Sequence, residues 1–131
     1  MSGGRQNVSS GAPWEATVGY SRAVRVGSHV AVAGTAAVGP DGKVVGPGDA
    51  YAQARFILGK IETALGQAGA TLRDVVRTRI YVTAIAHAAG VTRAHGEAFG
   101  QIRPASTLVV VSGLMTPEML VEIEADAVLG G

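Results

Sequence analysis

The chain has 131 residues, enough for one domain with one real core, and 47% of them are hydrophobic against only 16% charged. Its 11 basic and 10 acidic residues are interspersed, for a net charge of +1, and 5% of the chain is aromatic, so it carries neither the basic footprint nor the stacking ladder of a nucleic-acid binder. The absence of cysteine excludes disulfides, thiolate catalysis and thiolate metal sites.

No signal-like segment and no apolar run of membrane length is present, so the expected location is cytoplasmic. A surface so sparingly charged suits an oligomer better than a lone monomer.

Met1 to Ala12 is rich in Ser and Gly and is expected to be loose until Trp14 anchors it. Thr17 to Val26 and His29 to Gly34 read as strands joined by a tight turn at Gly27-Ser28. Pro40-Asp41-Gly42-Lys43 is a second turn, with Val44-Val45 a short strand beyond it. Asp49 is an N-cap for a long helix ending near Gly69. Within it Ala54, Ile57, Leu58, Ile61, Leu65 and Ala68 make one apolar stripe.

Thr71 to Asp74 is a lead-in to a strand over Val75 to Thr83. Arg77, Arg79 and Tyr81 share one of its faces, while Val76, Thr78, Ile80 and Val82 share the other. Ala86 to Gly100 reads as a second helix, weakened by Gly90 and Gly96. Arg103-Pro104-Ala105 is a stiff loop leading into Thr107 to Val111, whose apolar, β-branched run reads as a buried strand. Gly113 and Pro117 mark a turn region.

In the last strand, Leu120 to Val128, Leu120, Glu122, Glu124 and Asp126 line one face and Val121, Ile123, Ala125 and Ala127 the other. The simplest packing is α+β, with two helices on one face of a mixed sheet. The opposite face then carries Arg77 and Arg79 against the acidic row. That face must be wet or covered by another copy of the chain, and the second is expected.

The whole chain is expected to be a single domain over 1–131. Five features in their order carry a resemblance: Gly19-Tyr20, Val32-Ala33-Gly34-Thr35, Gln53-Ala54-Arg55, Pro104-Ala105 and Glu122-Ile123-Glu124-Ala125. From about Trp14 to Val128 the chain resembles the YjgF/RidA family, which implies a chorismate-mutase-like fold, a homotrimer and small-molecule sites in clefts between subunits. The best-known branch hydrolyses imines or enamines of amino acids. By this resemblance Tyr20 and Glu122 match the tyrosine and glutamate of that pocket. Ser106 stands where that branch has a carboxylate-clamping arginine, and Leu108 where it has a cysteine.

A serine hydroxyl brings no charge, so losing the guanidinium clamp is expected to cost about 1.5–3 kcal/mol of carboxylate binding. Either the ligand lacks that group or Arg93 or Arg103 replaces the clamp. The segment Arg93-Ala94-His95-Gly96-Glu97 is unlike the deaminase branch.

Each candidate has a plainer role. Tyr20 either orients a ligand or caps the hairpin. Glu122 is either a general base holding a water or a partner of Arg77 or Arg79. Arg103 is a loop cation at the pocket mouth or a solvated arginine. Arg93 and Glu97 have ion-pair spacing, and His95, at helical spacing from Val91 and Phe99, is either a half-buried histidine or a catalytic base. Ser106 and Thr107 are candidate hydrogen-bond donors into the cleft, but no neighbouring base marks a nucleophilic serine.

His29 and His87 are isolated, and no metal-ligand spacing or phosphate loop appears, so no metal and no cofactor are expected. Three functions follow. The first is imine or enamine hydrolysis, the second a non-catalytic binding or sensing trimer, and the third, ranked last, endoribonuclease action.

Overall fold

The computed structural model describes residues 4–130. Eight principal elements run in the order β1 (Arg5–Val8), β2 (Ala23–Val26), β3 (His29–Ala36), α1 (Ala50–Gln67), β4 (Val75–Val82), α2 (Ala88–Phe99), β5 (Ala105–Val110) and β6 (Val121–Val128). The strands form one sheet, ordered β1-β2-β3-β6-β4-β5. All neighbours are antiparallel except β4 and β5, which run parallel and are joined through α2. This is the expected α+β arrangement, a mixed sheet with two helices on one face.

The long helix forms for the reasons its sequence gives. Asp49 has extended backbone and its carboxylate accepts from the Ala52 N–H at 3.0 Å, satisfying one of the helix's free donors. The Ala54, Ile57, Leu58, Ile61, Leu65 and Ala68 stripe is buried throughout, and Gly69 ends the helix at φ +86°. Gly90 has a packing reason: a Cβ there would lie 3.2 Å from both Cβ and N of Tyr51, so the glycine lets α2 approach α1 closely.

On the sheet, Val121, Ile123, Ala125 and Ala127 of β6 are buried under the helices, and the alternation sends Glu122, Glu124 and Asp126 to the open face. Gln53 of α1 is fully buried and knits two loops to this core. Its amide donates to Gly46 O (3.2 Å) and Glu118 O (2.9 Å), and its carbonyl accepts from the Leu120 N–H (2.9 Å).

Several expectations need correction. Of the expected Thr17 to Val26 strand only Ala23–Val26 pairs into the sheet, because Glu15–Gly19 winds into a short helical turn ended by Gly19 at φ +91°. Its anchor is Glu15, buried and accepting from Ser9 Oγ at 2.9 Å and from the Ser10 hydroxyl and amide. Within the stretch expected to be loose, Arg5–Val8 pairs with β2 as an edge strand, while residues 1–3 lie outside the described residues. Val44 makes a single bridge to Val38 rather than a strand.

Val76 is 48% exposed, because a register shift between Val75 and Arg77 turns Val75 into the core in its place. The second helix begins at Ala88, after a single 3-10 turn over Ile85–His87. The largest correction concerns β5, which is an edge strand and not a buried one: Val109 and Val110 are 42% and 51% exposed.

Candidate functional site

Pairing of β6 with β4 places the acidic row beside the basic one, with Arg77 opposite Asp126, Arg79 opposite Glu124 and Tyr81 opposite Glu122. Arg79 Nη1 lies 3.2 Å from Asp126 and 3.8 Å from Glu124, and the Tyr81 hydroxyl donates to Glu124. That hydrogen bond, followed by burial and the charge of Glu124, pushes the Tyr81 hydroxyl above its ordinary range. Two of the three acids are thereby paired.

Glu122 is the exception. Among the described residues it has no hydrogen-bond or ion-pair partner, and it lies half-buried against Gly34. A Cβ on Gly34 would land on the Glu122 carboxylate, so only glycine leaves this carboxyl its place. Burial pushes its pKa up, the charge of Arg22 partly offsets the rise, and Glu124 adds to it.

Arg22 Nη2 donates to Gly34 O at 2.7 Å, its guanidinium lies 5.8 Å from the centre of the Tyr20 ring, and its Nε is buried with no partner. The sequence reading missed Arg22. The signal available was its position two residues after Tyr20, which returns its side chain toward the face that Tyr20 serves.

Tyr20 borders an open groove of about 580 Å³ on this same face, between the Glu15–Gly19 turn and the sheet. Asn7, Val24, Ala33, Glu124 and Asp126 complete much of its wall, whereas Glu122 lies beyond the lining. Tyr20 and Glu122 are thus on one face without sharing one closed cavity.

The remaining candidates lie elsewhere. Arg93 of α2 stacks its guanidinium 3.8 Å from the centre of the Tyr51 ring, in a cluster where Tyr51 donates to Glu97 (2.6 Å) and Arg55 pairs with Glu97 (3.3 Å). The expected partner of Glu97 was Arg93, so the ion pair there is made by a different arginine. Arg103 is exposed in the loop before β5, with left-handed backbone at φ +57° and its N–H donating to Phe99 O at 2.8 Å.

Ser106 and Thr107 are successive residues of β5 and point to opposite faces. Thr107 faces the acidic side, whereas Ser106 lies on the helix side opposite Thr78. There the Thr78 hydroxyl is 2.8 Å from Ser106 Oγ and 2.9 Å from His95 Nε2. Thr78 is fully buried, the His95 ring packs on Phe99 with centroids 4.7 Å apart, and burial pushes the imidazole pKa down. A single copy therefore holds Tyr20, Glu122 and Thr107 on one side of the sheet and Ser106 on the other.

Residues 10–129 match the sequence profile described as Endoribonuclease L-PSP. The chain is 38% identical over 125 residues to the uncharacterized protein SCO2049 of Streptomyces coelicolor, covering 95% of this chain and 92% of that one. It is 34% identical over 108 residues to the 3-aminoacrylate deaminase RutC of Acinetobacter baylyi, covering 82% and 85% of the two chains. Among solved structures it resembles Rv2704 of Mycobacterium tuberculosis, a member of the YjgF/YER057c/UK114 family, with 54% identity and a TM-score of 0.87 over 96% of this chain and 100% of that one. With its fold, a profile match over nearly its whole length and its likeness to Rv2704 in agreement, the chain belongs to the YjgF/RidA family.

Proposed function

We propose that this protein is a homotrimer that binds a small metabolite in clefts between copies and hydrolyses an imine or enamine there with a water polarised by Glu122. The observation that carries the reading is the state of Glu122: the unpaired acid of its row, half-buried, with a carboxyl shifted upward by burial. A base raised toward the working pH takes a proton from water more effectively than a solvated carboxylate. The water oxygen then bonds to the C=N carbon, the nitrogen gains a proton, and the carbinolamine breaks its C–N bond to release ammonia and a carbonyl compound. Tyr20, on the same face, is the ligand-orienting hydroxyl.

The relative named 3-aminoacrylate deaminase supports a substrate of this class. Assembly is favoured by an acidic face that a second copy would cover and by the exposed valines of β5. The cleft reading also suits the separation of Ser106 from Glu122, which two copies would bring together across their junction.

Ser106 favours a second reading, a trimer that binds or senses a metabolite without turning it over, because a neutral hydroxyl stands where the deaminase branch clamps a carboxylate. For that clamp Arg103 is the better replacement, since it is exposed on the loop into β5 while Arg93 is stacked on Tyr51. Ribonuclease action ranks last, since no cluster of cations lines the groove.

The deciding assay generates 2-imino acids in situ with an amino-acid oxidase and follows keto-acid release. The proposal expects acceleration that falls at least about 100-fold in Glu122→Gln, the contribution of a general base. An unchanged rate in that variant removes Glu122 from the chemistry. No acceleration by an intact trimer leaves the binding reading in its place.

A further inference from the structure

The open face of the sheet does not use the hydrogen-bonded line of His95, Thr78 and Ser106. These residues lie on α2, β4 and β5, so the fold alone brings them together. Thr78 Oγ1 touches both neighbours, at 2.9 Å to His95 Nε2 and 2.8 Å to Ser106 Oγ. Hydroxyl hydrogens rotate, so the line runs in either sense. When His95 carries its proton on Nδ1, Ser106 donates to Thr78 and Thr78 donates to Nε2.

Three further features make this more than a structural contact. Thr78 is fully buried, so water does not compete for its hydroxyl. The His95 ring is held by Phe99, which fixes the base as a third group does in other activated nucleophiles. Ser106 ends the line on an exposed edge strand. The Val111 N–H donates to Val82 O, and the β4–β5 register is unbroken, so the alternation turns the Ser106 N–H toward the free edge, away from β4. An unused backbone donor therefore sits beside the hydroxyl, available to an oxyanion.

We propose that Ser106 is a nucleophile for small esters or thioesters, activated by His95 through the bridging hydroxyl of Thr78. Ser106 Oγ bonds to the acyl carbon while the carbonyl electron pair moves to oxygen, beside the Ser106 N–H. The Ser106 proton passes to Thr78 Oγ1 as the Thr78 proton passes to His95 Nε2. Collapse breaks the bond to the leaving alcohol or thiol, which takes its proton from solvent at the exposed edge while the half-buried His95 returns its own to solvent. Water then hydrolyses the acyl-serine and restores the hydroxyl. All three side chains belong to one chain, so this activity stands or falls independently of imine hydrolysis.

The test uses the full chain and p-nitrophenyl acetate at neutral pH, following p-nitrophenolate release and locating the acetyl group by peptide mass mapping. The expected result is acetyl-Ser106 in the wild type and in Thr78→Ser, which keeps the bridge. Its rate of formation should fall at least about 100-fold in Thr78→Val and in His95→Gln. His95→Gln is the informative variant, because a glutamine can keep the hydrogen bond to Thr78 but cannot take a proton. Acetyl-Ser106 forming as fast in His95→Gln would overturn the proposal. So would acetylation of the wild type at other residues only, or at none.

Discussion

Replacing Gln53 with leucine tests whether the loops flanking the site are held by one side chain. Gln53 is fully buried and makes three hydrogen bonds to backbone, to Gly46 O, Glu118 O and the Leu120 N–H. Leucine fills the space without a cavity but leaves the Glu118 carbonyl and the Leu120 N–H unpaired, while Gly46 O keeps the Asp49 N–H at 2.9 Å. Each such group costs about 1–3 kcal/mol when water cannot replace the partner. Glu118 is exposed, so solvent rescues its carbonyl, and the partly shielded Leu120 N–H is the group left without a partner.

The loss comes to about 1–3 kcal/mol, or a fall in melting temperature on the order of 5–10 °C for a domain of this size. Thermal and denaturant unfolding at one fixed protein concentration measure it, since any assembly of copies would make the melting temperature depend on concentration. Because Leu120 leads into β6, hydrogen exchange should rise at Leu120 and Val121 before it rises in α1. A loss below about 1 kcal/mol would mean that these loops are held by something other than Gln53.

Gly34→Ala should leave the fold intact while pushing the Glu122 carboxylate aside by about 1 Å, with a loss of imine hydrolysis on the order of 100-fold. Wild-type rates in that variant would free Glu122 from the mechanism. Glu122→Gln should stabilise the protein at neutral pH and do little in acid. A carboxyl whose pKa is raised by burial contributes its full stability below its unfolded pKa and loses it as pH rises through the folded value. Paired denaturant titrations across that window check the sign, and equal stability of the two proteins at every pH would contradict it. Arg103→Gly removes a non-glycine residue from left-handed backbone and should raise stability by about 0.5–1 kcal/mol. The same variant weakens carboxylate binding if Arg103 is the replacement clamp, which a binding titration reads separately.

The sequence made some parts of this structure legible and hid others for identifiable reasons. The long helix was readable because an N-cap, an apolar stripe and a terminal glycine agree at α1. Strict alternation likewise gave both faces of β6. The run from Thr107 to Val111 misled because a buried strand and an apolar edge strand have the same composition. Thr17 and Val18 have strand propensity, yet Glu15 with Ser9 and Ser10 overrides it and winds the segment into a turn.

At the candidate site, Glu122 and Tyr20 were singled out by the family resemblance and not by local pattern, and the structure sets both on one face of the sheet. The contact of Thr78 with His95 and Ser106 was not legible, since these residues are 17 and 28 positions from Thr78 and only the crossover through α2 makes them neighbours. Neither was the role of Gly34, which depends on β3 lying beside β6.

The placement of Ser106 and Glu122 on opposite sides of one sheet has a consequence for mixed assemblies. In a closed ring of copies, every chain would lend its Ser106 side to one junction and its Glu122 side to the next. A variant at either position would then spoil one wall of one junction and leave its other wall sound. If a Ser106 variant loses the activity of the cleft as a Glu122 variant does, two such preparations, one altered only at Ser106 and one only at Glu122, would on subunit exchange regenerate some junctions with both walls native. Recovery of activity on mixing is a genetic complementation carried out in a test tube, and it would count the copies that build each cleft without a crystal.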